Sequence, residues 1–231
     1  MVAQADIIII GAGISGLAAG CYAQMNGYQT QIFELHDLPG GLCTAWHRQG
    51  YIFAGCIHYI FGSGPGQPFY NVWEELGAVQ NLEFVNQTDF MQIRGPAGEV
   101  LNVHSQPDEF EQHLKTISPE DSRLIEGFCR GVCTFKDFDL SMLQQKPKSL
   151  MTATDWARVG KEVLPFIRVL GKWGNLSLRE LASQFKHPFL QRAIPHMFAW
   201  PDVPVMVGMS LLAYLDNRNA GFPIGASLEF A

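Results

Sequence analysis

Gly11-Ala12-Gly13-Ile14-Ser15-Gly16 follows directly on the run Ile7-Ile8-Ile9-Ile10. Glycine at the first, third and sixth positions after an apolar run is what a chain needs to bring bare backbone against a phosphate. Gly11 permits the tight turn. Gly13 lets the backbone approach a pyrophosphate with no Cβ in the way, and Gly16 lets a helix pack close to the strand. A helix that begins at this point, with Ile14 and Ser15 in its first turn, aims unpaired N–H groups and a partial positive charge at the phosphates. Glu34, 23 residues after Gly11, can accept hydrogen bonds from ribose hydroxyls. A carboxylate there disfavours a 2′-phosphate, which argues against an NADP-type ligand.

These residues need a βαβ unit to hold them. Four isoleucines between Asp6 and Gly11 read as a buried central strand, apolar on both faces. Ile14, Leu17, Ala18, Cys21, Tyr22 and Met25 recur at helical spacing, which predicts one apolar stripe. Asn26-Gly27 stops that helix, and Tyr28 to Glu34 reads as the second strand. The fold class expected is α/β, a Rossmann-like FAD/NAD(P)-binding domain with a parallel sheet, plus a mixed α+β substrate domain.

The chain has 231 residues, room for one to two domains. Hydrophobic residues make up 47% and charged residues 16%, too apolar for disorder. The net charge is −6 with no Lys/Arg cluster, so nucleic acid is not an expected partner. Five cysteines at 21, 43, 56, 129 and 133 form no CxxC pair, so neither a disulfide scaffold nor a metal site is expected. Reduced thiols and the lack of an export signal point to the cytoplasm. No run of 18 apolar residues predicts a spanning helix.

Between Asp37 and Glu74 the only formally charged residue is Arg48, while glycines and aromatics are dense. Such a segment reads as a wrap over something bulky and partly apolar, the alternative being a loop packed on its own sheet. The glycine motif alone leaves FAD and NAD both open.

Gly11-x-Gly13-x-x-Gly16, Glu34, Pro39-Gly40-Gly41, Gly50-Tyr51-Ile52-Phe53 and Gly55-Cys56-Ile57-His58 with Gly62 resemble FAD-dependent oxidoreductases of the phytoene desaturase and carotenoid isomerase type. More loosely they resemble the amine-oxidase-like flavoproteins. The resemblance is specific over residues 5–80 and general beyond. It implies that the glycine turn binds the ADP pyrophosphate of FAD and that Glu34 holds the adenosine ribose. It also implies that Gly40, Gly41 and Leu42 run along the cofactor, with residues 42–62 as a cover near the flavin. Two positions depart from the pattern: Leu42 stands where relatives often carry Arg or another polar residue, and Ala54 where they usually carry Asp. The family is much longer, and its C-terminal part returns to complete the flavin site. The expectation is therefore an N-terminal portion, with the C-terminal half of the same protein missing.

Residues 1–88 are expected to form the FAD-binding domain, 89–215 a substrate or cap domain, and 216–231 a return toward the first. Residues 89–104 read as a hairpin turning at Gly95-Pro96-Ala97-Gly98. Helices are expected at 119–138 with Ser118 as N-cap, then at 153–172, 177–186, 188–198 and 204–215, after a polar linker at 144–148. Cys129 and Cys133, at i,i+4, read as small core residues rather than a redox or metal pair. From Ala193 to Leu215 the only charge is Asp202. That segment reads either as a core helix or as an apolar tunnel or membrane-touching rim for a lipid-like substrate. His58 is the catalytic candidate, a polariser or proton donor beside the flavin, against the alternative of a satisfied buried histidine. Three functions stay in play: a desaturase or isomerase acting on an apolar polyene, an amine-oxidase-like enzyme, and a non-catalytic nucleotide-binding protein.

Overall fold

The computed structural model describes residues 5–67, 69–138, 146–198 and 200–225. The chain divides into two compact units, one made of residues up to Val85 with those from Gly221 onward, the other Asn86–Ala220.

In the first unit, β1 (Ile7–Ile10) leads into α1 (Ile14–Met25), and β2 (Thr30–Phe33) pairs in parallel with β1, Ile9 opposite Ile32. This is the βαβ unit read from the glycine spacing. Two details differ. First, β1 is covered on one face only: Ile7 and Ile9 are half-buried, whereas Ile8 and Ile10 are 62% and 83% exposed. Among the described residues β1 pairs with β2 alone. Second, the stripe from Ile14 to Met25 is buried only in part: Ile14, Leu17 and Ala18 are half-buried. Cys21, Tyr22 and Met25 are exposed, and Gly20 is the buried position of α1. A Cβ on Gly20 would lie 3.0 Å from Ile32 Cδ1, and one on Gly16 would lie 3.3 Å from Ile9 Cγ2. The helix meets its strands through a seam of glycines, because a close parallel crossover leaves no room for larger side chains.

After α1 and β2 come β3 (Ala45–Arg48) and β4 (Tyr51–Ala54), an antiparallel hairpin with Arg48 opposite Tyr51. Its two turn residues, Gln49 and Gly50, both have positive φ, 51° and 81°, the mark of a type I′ turn. β5 (Ile60–Phe61), α2 (Tyr70–Glu75) and β6 (Phe84–Val85) follow. β9 (Ala220–Pro223) lies between β5 and β6 in one sheet, with Phe84 opposite Pro223. Gly221 donates its N–H to Ser63 Oγ at 2.7 Å.

The second unit opens with a hairpin, β7 (Asp89–Arg94) and β8 (Val100–His104), turning through the residues expected. Against it and each other lie α3 (Pro107–Ile117), α4 (Ser122–Phe135), α5 (Ala153–Val163), α6 (Ile167–Trp173), α7 (Leu178–Ser183), α8 (Pro188–Ala193) and α9 (Val205–Asp216). Ser118 does not cap α4. Its hydroxyl donates to Asp121 Oδ2, which also receives the Lys186 N–H, and a 3₁₀ turn at Pro119–Asp121 precedes the helix. The helix expected at 153–172 is divided by a 3₁₀ turn at Leu164–Phe166, where Pro165 has no N–H to give. Pro195 shortens α8 in the same way. Of the expected linker, residues 144 and 145 lie outside the described residues.

Met197, Met209 and Leu212 are fully enclosed in this unit, so much of 193–215 packs as core, while Trp200 is 65% exposed. The gap between Phe110, Leu114, Phe128, Leu181, Phe185, Ile194 and Met197 measures about 10 Å³, room for no more than about one water and no substrate. Cys129 is buried on α4 and Cys133 is exposed. Among the described residues no group of His, Cys, Asp and Glu could hold a metal. No helix among them is long and apolar enough to cross a membrane.

Candidate dinucleotide-binding site

The turn between β1 and α1 is held from both sides. Gly11, at φ 99°, donates its N–H to Phe33 O at 2.7 Å, tying the turn to the end of β2. Gly40 donates to Ala12 O at 2.7 Å and forms a parallel bridge with Gly13. The Gly40-Gly41 pair therefore lies directly on the glycine turn.

The glycines do not all have the same reason to be glycine. A Cβ on Gly16 would sit 2.1 Å from Gly11 O, so the turn cannot close around any other residue. Gly41, at φ 59°, would bring a Cβ within 3.1 Å of Gly13 Cα. Gly13 is different. Its φ is −71°, open to any residue, and a Cβ there meets nothing closer than Gly41 Cα at 4.0 Å. Packing of the protein on itself does not demand glycine at 13.

Gly13 is also the N-cap of α1. No side chain caps the helix there, and its first turn holds no acid. Leu17 N–H bonds back to Gly13 O, so the N–H groups of residues 14–16 precede the first intrahelical donor. An uncapped helix start over a glycine turn is suited to an anionic diphosphate.

Glu34 closes the site. Its Oε2 accepts the Ala12 N–H at 2.6 Å and its Oε1 accepts the His36 N–H at 2.9 Å. Those two bonds, His36 first, hold the carboxyl below the usual carboxylate range. A carboxylate has about four lone-pair sites, so two donors leave acceptor capacity on an exposed group. Gly11, Gly13, Gly16 and Glu34 thus lie together, with Gly40 and Gly41 beside them. Leu42 follows them with 78% of its surface exposed.

Beyond the turn, Cys43 and Ile60 form a small buried cluster with Ile14, Ile57 and Trp73 against it. Trp46 and Phe53 stack across the β3–β4 hairpin, 6.2 Å between centroids. His58 is exposed, so the buried-histidine alternative does not hold, and none of the bonds that assemble the turn involves it. The hairpin is what the sequence reading missed. Its signal was Gln49-Gly50 flanked by aromatic and β-branched residues, weaker than Asn-Gly because glutamine seldom takes positive φ.

Residues 9–76 match the model of the NAD(P)-binding Rossmann-like domain. The chain is 25% identical over 198 residues to a lycopene-forming phytoene desaturase from Paracoccus, covering 82% of this chain and 36% of that protein. It is 26% identical over 236 residues to human all-trans-retinol 13,14-reductase, covering 98% of this chain and 38% of that one. These relatives, a phytoene desaturase and a retinol reductase, are what the chain is similar to in sequence. The chain spans little more than a third of the length of these relatives. In fold it is similar to putrescine oxidase bound to putrescine, at 17% identity and a TM-score of 0.50, over 98% of this chain and 48% of that one.

Proposed function

We propose that this chain binds FAD at the β1–α1 turn and serves an oxidoreductase acting on C–H or C=C bonds of an apolar polyene or lipid-like substrate. The observation that carries the cofactor is Gly13: a glycine whose Cβ the protein itself has room for, at the uncapped start of α1. A missing side chain with no internal cause is accounted for by a ligand that comes up against the backbone.

The residues fit the group. N–H groups at Ile14, Ser15 and Gly16 would face the diphosphate, and Glu34, already fixed by two backbone donors, would take the ribose hydroxyls. Gly40, Gly41 and Leu42 would form the next wall. When bound, the flavin supplies an acceptor for a hydride taken from a C–H bond. The chain's own task is to hold, orient and shield it. The exposed aromatic hairpin at Trp46, Tyr51 and Phe53 is apolar enough to exclude water. The polyene substrate class is supported by the names of the relatives, phytoene desaturase, prolycopene isomerase and retinol reductase.

A second reading, binding without turnover, is favoured by Ala54 at the position of the usual Asp and by a zebrafish relative, 27% identical, named as an inactive retinol reductase. Anaerobic spectra of the FAD-loaded protein separate these. Bleaching of the flavin by a polyene but not by a diamine is expected. Bleaching by the diamine alone would make it amine-oxidase-like, and no bleaching by either would leave binding without turnover.

A further inference from the structure

Two cysteines flank the β3–β4 hairpin, and its register decides their relation. Arg48 stands opposite Tyr51 and Ala45 opposite Ala54. The ladder runs on by one bond, Gly55 N–H to Thr44 O at 2.7 Å. Continued by one more step beyond the strands, the same register would set Cys43 against Cys56, and the Cys56 thiol is an electrostatic neighbour of Cys43. In a two-residue hairpin the pair flanking the turn is hydrogen-bonded and the kind of pair then alternates, which makes 44/55 bonded and 43/56 non-bonded. Non-bonded antiparallel pairs hold their Cα atoms about 4.5 Å apart, within the span of about 4.4–6.8 Å that a disulfide bridges. The neighbours on that face, Ala45 and Ala54, are small.

We propose that Cys43 and Cys56 form a reversible cross-strand disulfide, a peroxide-responsive site at the base of the hairpin. Cys56 is exposed and Cys43 is buried, so the two have separate parts. Burial raises the Cys43 thiol, with the Cys56 thiol as a further electrostatic neighbour. The Cys56 thiolate attacks a peroxide oxygen. An S–O bond forms, the O–O bond breaks, and water or an alcohol leaves with the proton. Cys43 sulfur then displaces the sulfenic oxygen as water, closing the S–S bond. Overall two thiols are oxidised by two electrons and one hydroperoxide is reduced to an alcohol, or hydrogen peroxide to water, with one further water released.

The site has a structural consequence. Cys43 N–H bonds to Gly40 O at 3.0 Å, and Gly40 bonds to Ala12 of the glycine turn. The bridge ties the hairpin base to the wall of that turn. This holds whether or not the turn binds FAD.

The test is peptide mapping of the full chain after hydrogen peroxide and alkylation of remaining thiols. Trypsin cuts at Arg48, between the two cysteines, and cleavage at Glu34 separates Cys21 from Cys43. The expected result is a linked Cys43–Cys56 peptide pair, two of the five thiols lost together, and full recovery with dithiothreitol. Cys56→Ser is expected to abolish the linked pair and slow Cys43 oxidation about tenfold or more. The proposal is overturned if Cys56 is over-oxidised while Cys43 stays alkylatable, or if Cys56 links to Cys21, Cys129 or Cys133. Mapping of the unsubstituted chain decides the matter even if the variant fails to fold.

Discussion

Ala12 and Glu34, 22 residues apart, are joined by a 2.6 Å hydrogen bond from a backbone N–H to a carboxylate oxygen. The acid at the end of β2 therefore shapes the turn at the end of β1. It does so through one oxygen, while its second oxygen bonds to the His36 N–H. Because both donors favour the charged form, the folded-state pKa lies below the unfolded one. The stability this adds is present above about pH 4.5 and is lost as pH falls through the lowered folded value. Glu34→Gln is expected to flatten that acid limb in pH-dependent unfolding curves. An unchanged limb would contradict the bond.

Gly13 and Gly16 are expected to behave differently. Gly16→Ala forces a Cβ to within 2.1 Å of Gly11 O and is expected to cost upwards of about 3 kcal/mol, read as a fall in Tm or loss of folded protein. Gly13→Ala is expected to leave Tm within about 0.5 kcal/mol of the parent, because the space exists. Equal loss of stability in both variants would show that Gly13 is a packing glycine after all.

The β-turn of the hairpin offers a gain. Gln49 holds φ 51°, where asparagine is several-fold enriched over most residues. Gln49→Asn is expected to stabilise by about 0.6 kcal/mol, measured by denaturant midpoint at constant m.

In the second unit, His113 Nε2 accepts the Asn102 N–H at 3.0 Å. Burial, then the His104 ring beside it, pushes the His113 pKa down. The unfolded chain therefore binds more protons near neutrality. The stability from His113 is complete above about pH 6.5 and declines as pH falls below it toward the folded value. His113→Gln is expected to remove that step from pH-dependent unfolding.

The glycine spacing and Glu34 were legible in the sequence because each answers a local demand: a turn, a close crossing, an acceptor. The hairpin at 89–104 was legible because Gly95 and Gly98 punctuate two strands. The packing face of α1 was not. Hydropathy assigns the buried side to the larger apolar residues, but a βαβ crossing this close selects Gly16 and Gly20, and Cys21, Tyr22 and Met25 are left exposed. The Ile7–Ile10 run misled for a related reason. Its composition suits two covered faces, and among the described residues α1 covers one. The division of the 153–172 helix was written in Pro165, whose effect on the apolar periodicity around it is small but on the backbone bond is absolute.

The most direct measurement is FAD titration of the unsubstituted chain and of Gly13→Ala, both first shown to be folded by circular dichroism. The account predicts saturable quenching of flavin fluorescence by the first, and affinity weaker by about tenfold or more, about 1.4 kcal/mol, in the second at unchanged Tm. No binding by the folded parent, or equal affinity in the two, would contradict it.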